Sequence, residues 1–154
     1  MEIWTFRILK EKKEKNIMNK IFLDTNIIID FIDTSRKNHL KAKKLIVKLI
    51  EKEYEIFISE DMISTVYYVL RGIPELLTFF EKVLEEWNIV AFGKKTIIES
   101  IEYCKKNNAD LEDAMQCFCA KNYGCKWLIT NDKKFVNCGI EIMDYDSFLK
   151  EKNA

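Results

Sequence analysis

Lys20-Ile21-Phe22-Leu23-Asp24-Thr25-Asn26 decides the fold. A short apolar run of β-formers stops abruptly at three small polar residues. Lys126-Trp127-Leu128-Ile129 stops in the same way at Thr130-Asn131-Asp132. Between the two lies Asp110-Leu111-Glu112-Asp113, which opens an apolar segment. In open parallel α/β sheets, ligands sit beyond the carboxyl ends of the strands. Two strands that each run out into Asp, and a helix that starts with acids, can therefore bring carboxylates to one place. Such a group either repels itself or holds a hard cation such as Mg²⁺.

The rest of the chain alternates short apolar strands with helical patterns, the signature of βαβ units. Strands are expected at 20–24, 56–58, 88–92, 126–129 and 141–143. A short helix follows the first strand, capped by Thr25 or Asn26. In the next helix, Ala42, Leu45, Ile46 and Leu49 share one face, and Lys41, Lys43, Lys44 and Lys48 the other. Ser59 is expected to cap a third helix ending at Gly72, and Pro74 to open a fourth. Residues 94–106 predict a helix with Ile97, Ile98, Ile101 and Cys104 on one face. Residues 110–122 predict one that is apolar nearly all round and therefore buried. The fold class is α/β, a three-layer α/β/α sandwich with a central, mostly parallel sheet.

The 154 residues suit one domain with its own core, and four Gly and one Pro speak against disorder. Residues 18–154 are expected to form it. Residues 1–17 are read as a mis-assigned start or a solvated N-terminal helix. Equal numbers of basic and acidic residues, 25 each, exclude a histone-like role but not an RNA substrate held locally. No stretch approaches the ~20 apolar residues of a membrane span. The five cysteines are odd in number and lack zinc-knuckle spacing. Cys117 and Cys119 are expected to be reduced core residues, which points to the cytoplasm. His39, the lone histidine, is read as a solvated loop residue. A Gly-x-Ser-x-Gly elbow and a Gly-rich phosphate loop are both missing.

Each acid has an ordinary structural explanation. Asp24 could be a helix cap, Asp132 a turn residue, and Asp110 and Asp113 a helix start enriched in acids. Their joint occurrence at equivalent strand ends favours a metal site. Mg²⁺ takes oxygen ligands and keeps several waters, and a water so bound loses a proton readily and can attack phosphorus.

Phe22-Leu23-Asp24-Thr25-Asn26, Asp110-Leu111-Glu112-Asp113-Ala114 and Leu128-Ile129-Thr130-Asn131-Asp132-Lys133-Lys134-Phe135 together resemble a PIN domain. The resemblance covers residues 19 to about 150. It implies a Mg²⁺- or Mn²⁺-dependent endoribonuclease of the VapC toxin type, an RNA substrate, a cognate antitoxin and a homodimer. By position it makes Asp24, Asp113 and Asp132 metal ligands, with Asp110 an additional acid. Thr25, Asn26, Thr130 and Asn131 become polar supports. One position departs. Where the family usually carries Glu inside the helix after the second strand, this chain has Thr65, which supplies no charge. Asp110, Glu60 or Asp61 would have to compensate. Two rival readings follow: a catalytically silent PIN-like module that binds RNA or protein, and a haloacid-dehalogenase-like phosphatase. The latter needs an acid two residues after its nucleophile, where Asn26 stands.

Overall fold

The computed structural model describes residues 19–151; the N-terminal extension read at 1–17 lies outside them. Five strands, β1 (Lys20–Leu23), β2 (Glu55–Ser59), β3 (Asn88–Val90), β4 (Trp127–Ile129) and β5 (Glu141–Met143), form one sheet. Its order is β3-β2-β1-β4-β5, and every pairing is parallel. Seven helices among the described residues connect and cover them. They are α1 (Thr25–Ile32), α2 (His39–Glu51), α3 (Glu60–Leu70), α4 (Leu76–Glu86), α5 (Gly93–Asn107), α6 (Leu111–Asn122) and α7 (Tyr145–Lys150).

The central strands are apolar on both faces, as a sheet covered on two sides requires. Ile21, Phe22 and Leu23 of β1 and Leu128 and Ile129 of β4 are wholly buried. From β1 the chain builds outward through β2 and β3, then crosses to the other side of β1 for β4 and β5. The strand order therefore reverses between β1 and β4. The two backbones part there beyond their last bond, Asp24 N–H to Ile129 C=O (3.0 Å). In this class of sheet, that crevice is where ligands bind.

Helix α1 fixes the crevice's floor. Asp24, not Thr25 or Asn26, is its cap: the Asp24 carboxylate accepts the Thr25 N–H at 2.8 Å. The first polar residue after the strand already has extended backbone and takes the role. Ile27, Ile28 and Ile29 are buried, each stabilising the fold by about 1.5–3 kcal/mol. That gain holds Asp30 inside as well. Its carboxylate accepts the Tyr145 hydroxyl at 2.8 Å and pairs with Arg36 Nε at 2.7 Å. Its carbonyl lies 3.0 Å from His39 Nδ1. His39 thus opens α2 and braces α1, rather than standing in a solvated loop. The buried Tyr145 hydroxyl is pushed well above its ordinary pKa, by desolvation first and then by its bond to Asp30.

Two of the lysines opposite the core face of α2 hold α7. Lys41 pairs with Asp146 at 3.0 Å, and Lys48 donates to the carbonyls of Phe148 (3.1 Å) and Glu151 (3.2 Å). Ser59 precedes α3, but its hydroxyl donates to the Asp61 side chain instead of capping the backbone. Helix α4 begins two residues after Pro74, following a turn. Helix α5 buries Thr96 and Ser100, whereas Ile97, Ile98 and Ile101, which the sequence puts on one face, are exposed. Small side chains let α5 lie close against α6. Their hydroxyls are satisfied in place, Ser100 bonding the Thr96 carbonyl (2.7 Å) and Thr96 taking Asn122 Nδ2 (2.9 Å). Gly124 has φ +74°, a left-handed conformation that lets the chain turn from α6 into β4.

Tyr145→Phe leaves the packing intact but removes a hydroxyl from the buried Asp30 carboxylate. We expect it to lower unfolding free energy by about 1–3 kcal/mol, read from the urea midpoint at unchanged m-value.

Candidate metal centre at the strand switch point

Asp24 is 7% exposed at the end of β1. One carboxylate oxygen takes the Thr25 N–H and the other the Thr130 hydroxyl, at 2.8 Å each. Thr130, at the end of β4, is itself buried and also accepts the Asp132 N–H at 3.1 Å. One hydroxyl thus ties the β1 acid to the β4 acid across the switch point. Burial raises the Asp24 pKa, the bonds from Thr130 and Thr25 oppose it, and the charge of Asp132 raises it further.

The third acid comes from α6. Asp110 caps that helix, its Oδ1 accepting the Asp113 N–H at 3.0 Å. Asp113 follows one turn in and is half-buried. Its pKa is pushed up to about 7, first by desolvation and then by Asp110, Asp24, Asp132 and Glu112 in that order. Four carboxylates are therefore felt at one carboxyl group. Among the described residues, no group of three or more His, Cys, Asp or Glu is arranged to hold a metal ion as the side chains stand. An oxygen-only donor set of mutually repelling carboxylates matches Mg²⁺ or Mn²⁺, which complete their shells with water.

The structure brings together Asp24, Asp113, Asp132 and Asp110, with Thr25 and Thr130 bonded into the group. Asn26 and Asn131 are exposed, and among the described residues neither side chain hydrogen-bonds to these carboxylates. Asp110 has a second task as helix cap. Glu112 was missed by the sequence reading. Its pKa is raised by burial, then by Asp61, Asp110 and Asp24, so it joins the same field. Counting i to i+3 from Asp110 selected Asp113 and passed over it. Thr65 is half-buried in α3. Of the candidates to replace its missing charge, Asp61 is held by Ser59 and lies 3.5 Å from Gln116 Nε2, and its charge acts on Glu112 and Cys119.

Cys117 corrects the cysteine reading. It is bonded to Cys138 with a Cα separation of 6.1 Å, so it is not a reduced thiol. Cys119 is a free buried thiol, as expected, with its pKa pushed up to about 12 by burial. Cys117 lies one turn beyond Asp113, and Cys138 six residues beyond Asp132. The bond therefore joins the helix carrying one acid to the loop carrying another.

The PIN domain model matches residues 21–140. This chain belongs to the PIN domain family. It is 36% identical over 139 residues to Ribonuclease VapC1 of Aquifex aeolicus (strain VF5), across 88% of this chain and 96% of that protein. Its fold is similar to that of VapC20 from Mycobacterium tuberculosis, described as a Sarcin-Ricin loop cleaving toxin. The TM-score is 0.66 at 16% identity, covering 78% of this chain and 95% of that one. It is also similar to a toxin–antitoxin complex from Klebsiella pneumoniae, with TM-score 0.63 at 20% identity, covering 81% and 97%. A third likeness is to VapBC2 from Rickettsia felis bound to a DNA fragment from its promoter, with TM-score 0.60 at 17% identity, covering 81% and 98%.

Two outcomes follow from this PIN domain's electrostatics. Asp110→Asn keeps a competent cap and removes one charge. The melting temperature should hold, while the Asp113 carboxyl, followed by ¹³C NMR, titrates at lower pH. Because the folded pKa of Asp113 exceeds its unfolded value, the native state binds more protons between about pH 4 and 7. The metal-free protein should therefore lose stability as pH rises through that window, and Asp113→Asn should flatten the profile.

Proposed function

We propose that this protein is a metal-dependent endoribonuclease that hydrolyses RNA phosphodiester bonds as the toxin of a type II toxin–antitoxin pair. The observation that carries the reading is Asp113: a half-buried carboxyl raised to about 7 by desolvation and then by four neighbouring acids at the sheet's switch point. Asp24, Asp113 and Asp132, with Asp110, would hold Mg²⁺ or Mn²⁺. The chemistry such an ion supplies is charge to offset the phosphoryl oxygens and a lowered pKa for attacking water.

The chain's own residues set the conditions. Thr25 N–H and the Thr130 hydroxyl hold Asp24 in one orientation and favour its ionised form against burial. Asp113 carries a proton about half the time near pH 7 when no cation is present, and releases it on cation binding. Thr130 ties the acids at the ends of β1 and β4 together, and the Asp110 cap fixes the start of α6, which carries Asp113. A phosphatase reading loses support because Asn26, where its second acid belongs, is exposed.

An RNA substrate is supported by the likeness to Ribonuclease VapC1, and an antitoxin by likeness to solved toxin–antitoxin complexes. Tyr67, Tyr68, Val69, Leu77 and Leu84 leave α3 and α4 with exposed apolar area suited to such a partner. Ile97, Ile98, Ile101 and Leu111 leave a second apolar face on α5 and α6, which we assign to a homodimer. We place the protein in the cytoplasm; no described helix is long and apolar enough to cross a membrane. The Cys117–Cys138 bond runs against that placement, since cytosolic thiols are mostly kept reduced. Residues 18–154 are taken as the single domain. Thr65 motivates a second reading, a silent module that binds RNA without cutting it.

Purified protein incubated with structured RNAs decides between the two. Cleavage should require Mg²⁺ or Mn²⁺, stop with chelator, and fall at least 100-fold in Asp24→Asn. Calorimetry at pH 7 in buffers of different ionisation enthalpy should show about half a proton released per Mn²⁺ bound. Binding without proton release would remove Asp113 from the site. RNA binding without Mn²⁺ binding would establish the silent module.

A further inference from the structure

Beyond Asp132 the acid site opens into a cavity of about 290 Å³ between the β4–β5 loop and the start of α7. Thr130 and Asp132 belong to both, so one end of the cavity is the metal centre itself. Asn131, Lys133, Phe135 and Asn137 line the remainder on the loop side, with Ile142, Ser147 and Asp144 opposite, the Asp144 carboxylate taken up by the Ser147 N–H at 2.8 Å. Its volume is near that of about ten liquid waters and lies at the lower limit of small-ligand pockets. It admits one flat group of nucleoside size and no helix of either polymer.

The lining is mixed in a particular way. Phe135 offers a half-buried ring beside two exposed primary amides and one exposed ammonium. Asn137 Oδ1 accepts the Gly139 N–H at 3.0 Å, which assigns its amide flip and makes its NH₂ the group available as donor. The loop is held in shape before anything binds. Asp132 accepts the Lys134 N–H through its side chain (2.9 Å) and the Phe135 N–H through its carbonyl (3.2 Å). At the far end Cys138 is bonded to Cys117, and its carbonyl accepts Lys121 Nζ at 3.2 Å. A preformed ring-and-amide cleft adjoining a phosphate site matches how unpaired RNA bases are read, by stacking and by hydrogen bonds along their edges.

We infer that this cavity is a base-binding subsite. One unpaired nucleobase flanking the scissile phosphate stacks on Phe135, the amides of Asn131 and Asn137 read its edge, and Lys133 pairs with the neighbouring phosphate. The inference rests on the acid centre being a ribonuclease site, and it gives Asn131, exposed and unattached to the acids, a task of its own.

The test uses the full chain, ¹⁵N-labelled, titrated in Mg²⁺ with AMP, GMP, CMP, UMP and ribose 5-phosphate. The expected result is shifts at Asn131, Phe135 and Asn137, and dissociation constants that differ at least fivefold among the four nucleotides. Phe135→Leu, which keeps apolar volume, should weaken the best nucleotide about tenfold and leave ribose 5-phosphate unchanged. Asn131→Ala, at an exposed position, should compress the differences among bases without altering the melting temperature. Ribose 5-phosphate binding as tightly as every nucleotide would overturn the subsite, as would shifts confined to another face. Cleavage of RNA that is indifferent to an abasic residue on either side of the cut would overturn it while sparing the nuclease reading. Base-selective nucleotide binding by a protein that cuts no RNA would uphold the subsite and remove the nuclease.

Discussion

Like charges held together where a parallel sheet reverses its strand order are the constraint on which this molecule turns. Burial works against charge on Asp24 and raises its pKa. It stays ionisable because a backbone N–H and the Thr130 hydroxyl each meet one of its oxygens. The first donor is local, but the Thr130 hydroxyl reaches Asp24 only because β1 and β4 lie side by side and end at the same level, as their parallel register places them. The topology and the electrostatics are one requirement. A sheet built in strict sequence order would leave β1 at an edge beside β2 alone, and Asp24 without Thr130.

Helix α1 contains two buried carboxylates, and their compensation differs. Asp30 is met entirely by protein: a tyrosine hydroxyl, an arginine and a core that has no room to relax. Nothing further is needed to balance it, so it reads as architecture. Asp24 and Asp113 are met only in part, and desolvation with the neighbouring acids pushes the Asp113 pKa up to about 7. Both kinds of acid are buried or half-buried and hydrogen-bonded, so burial does not tell them apart. The charge left unbalanced does, and it accumulates at the switch point. The Asp30 cluster then acts as the anchor that keeps α1, and with it the cap at Asp24, from yielding to repulsion.

Much of this was legible in the chain. β-rich runs ending in Asp or Thr-Asn-Asp located the strand ends, and the period of Ala42, Leu45, Ile46 and Leu49 located a core face that the structure buries residue for residue. What escaped were choices made by contacts distant in sequence. Helix α5 turned its serine and threonine inward because a close neighbour, α6, rewards small side chains more than large ones, so the face that hydrophobic period picks out lies outward. Pairing of Cys117 with Cys138 depends on a loop whose path no local pattern announces. Glu112 stands at a spacing that faces away from Asp110 on an ideal helix, yet feels Asp24 and Asp61 because α6 begins in the crevice rather than on the surface.

Thr65 is where this chain leaves the pattern its relatives' motifs led one to expect, and its surroundings qualify the departure. A metal centre needs a certain density of negative charge more than it needs each carboxylate at a fixed position, because Mg²⁺ and Mn²⁺ fill open coordination positions with water. On the side of the crevice nearest α3, Asp61 and Glu112 press on one another. The neutral residue in the middle of α3 therefore does not leave that flank uncharged. It moves the charge one turn toward the helix start and across to α6. Acids in a first turn are also favoured by the helix dipole, so this placement costs the fold less than a carboxylate in mid-helix. The consequence is an acid cluster supplied mainly by the β1 end, the β4 loop and α6, with α3 adding charge from its first turn.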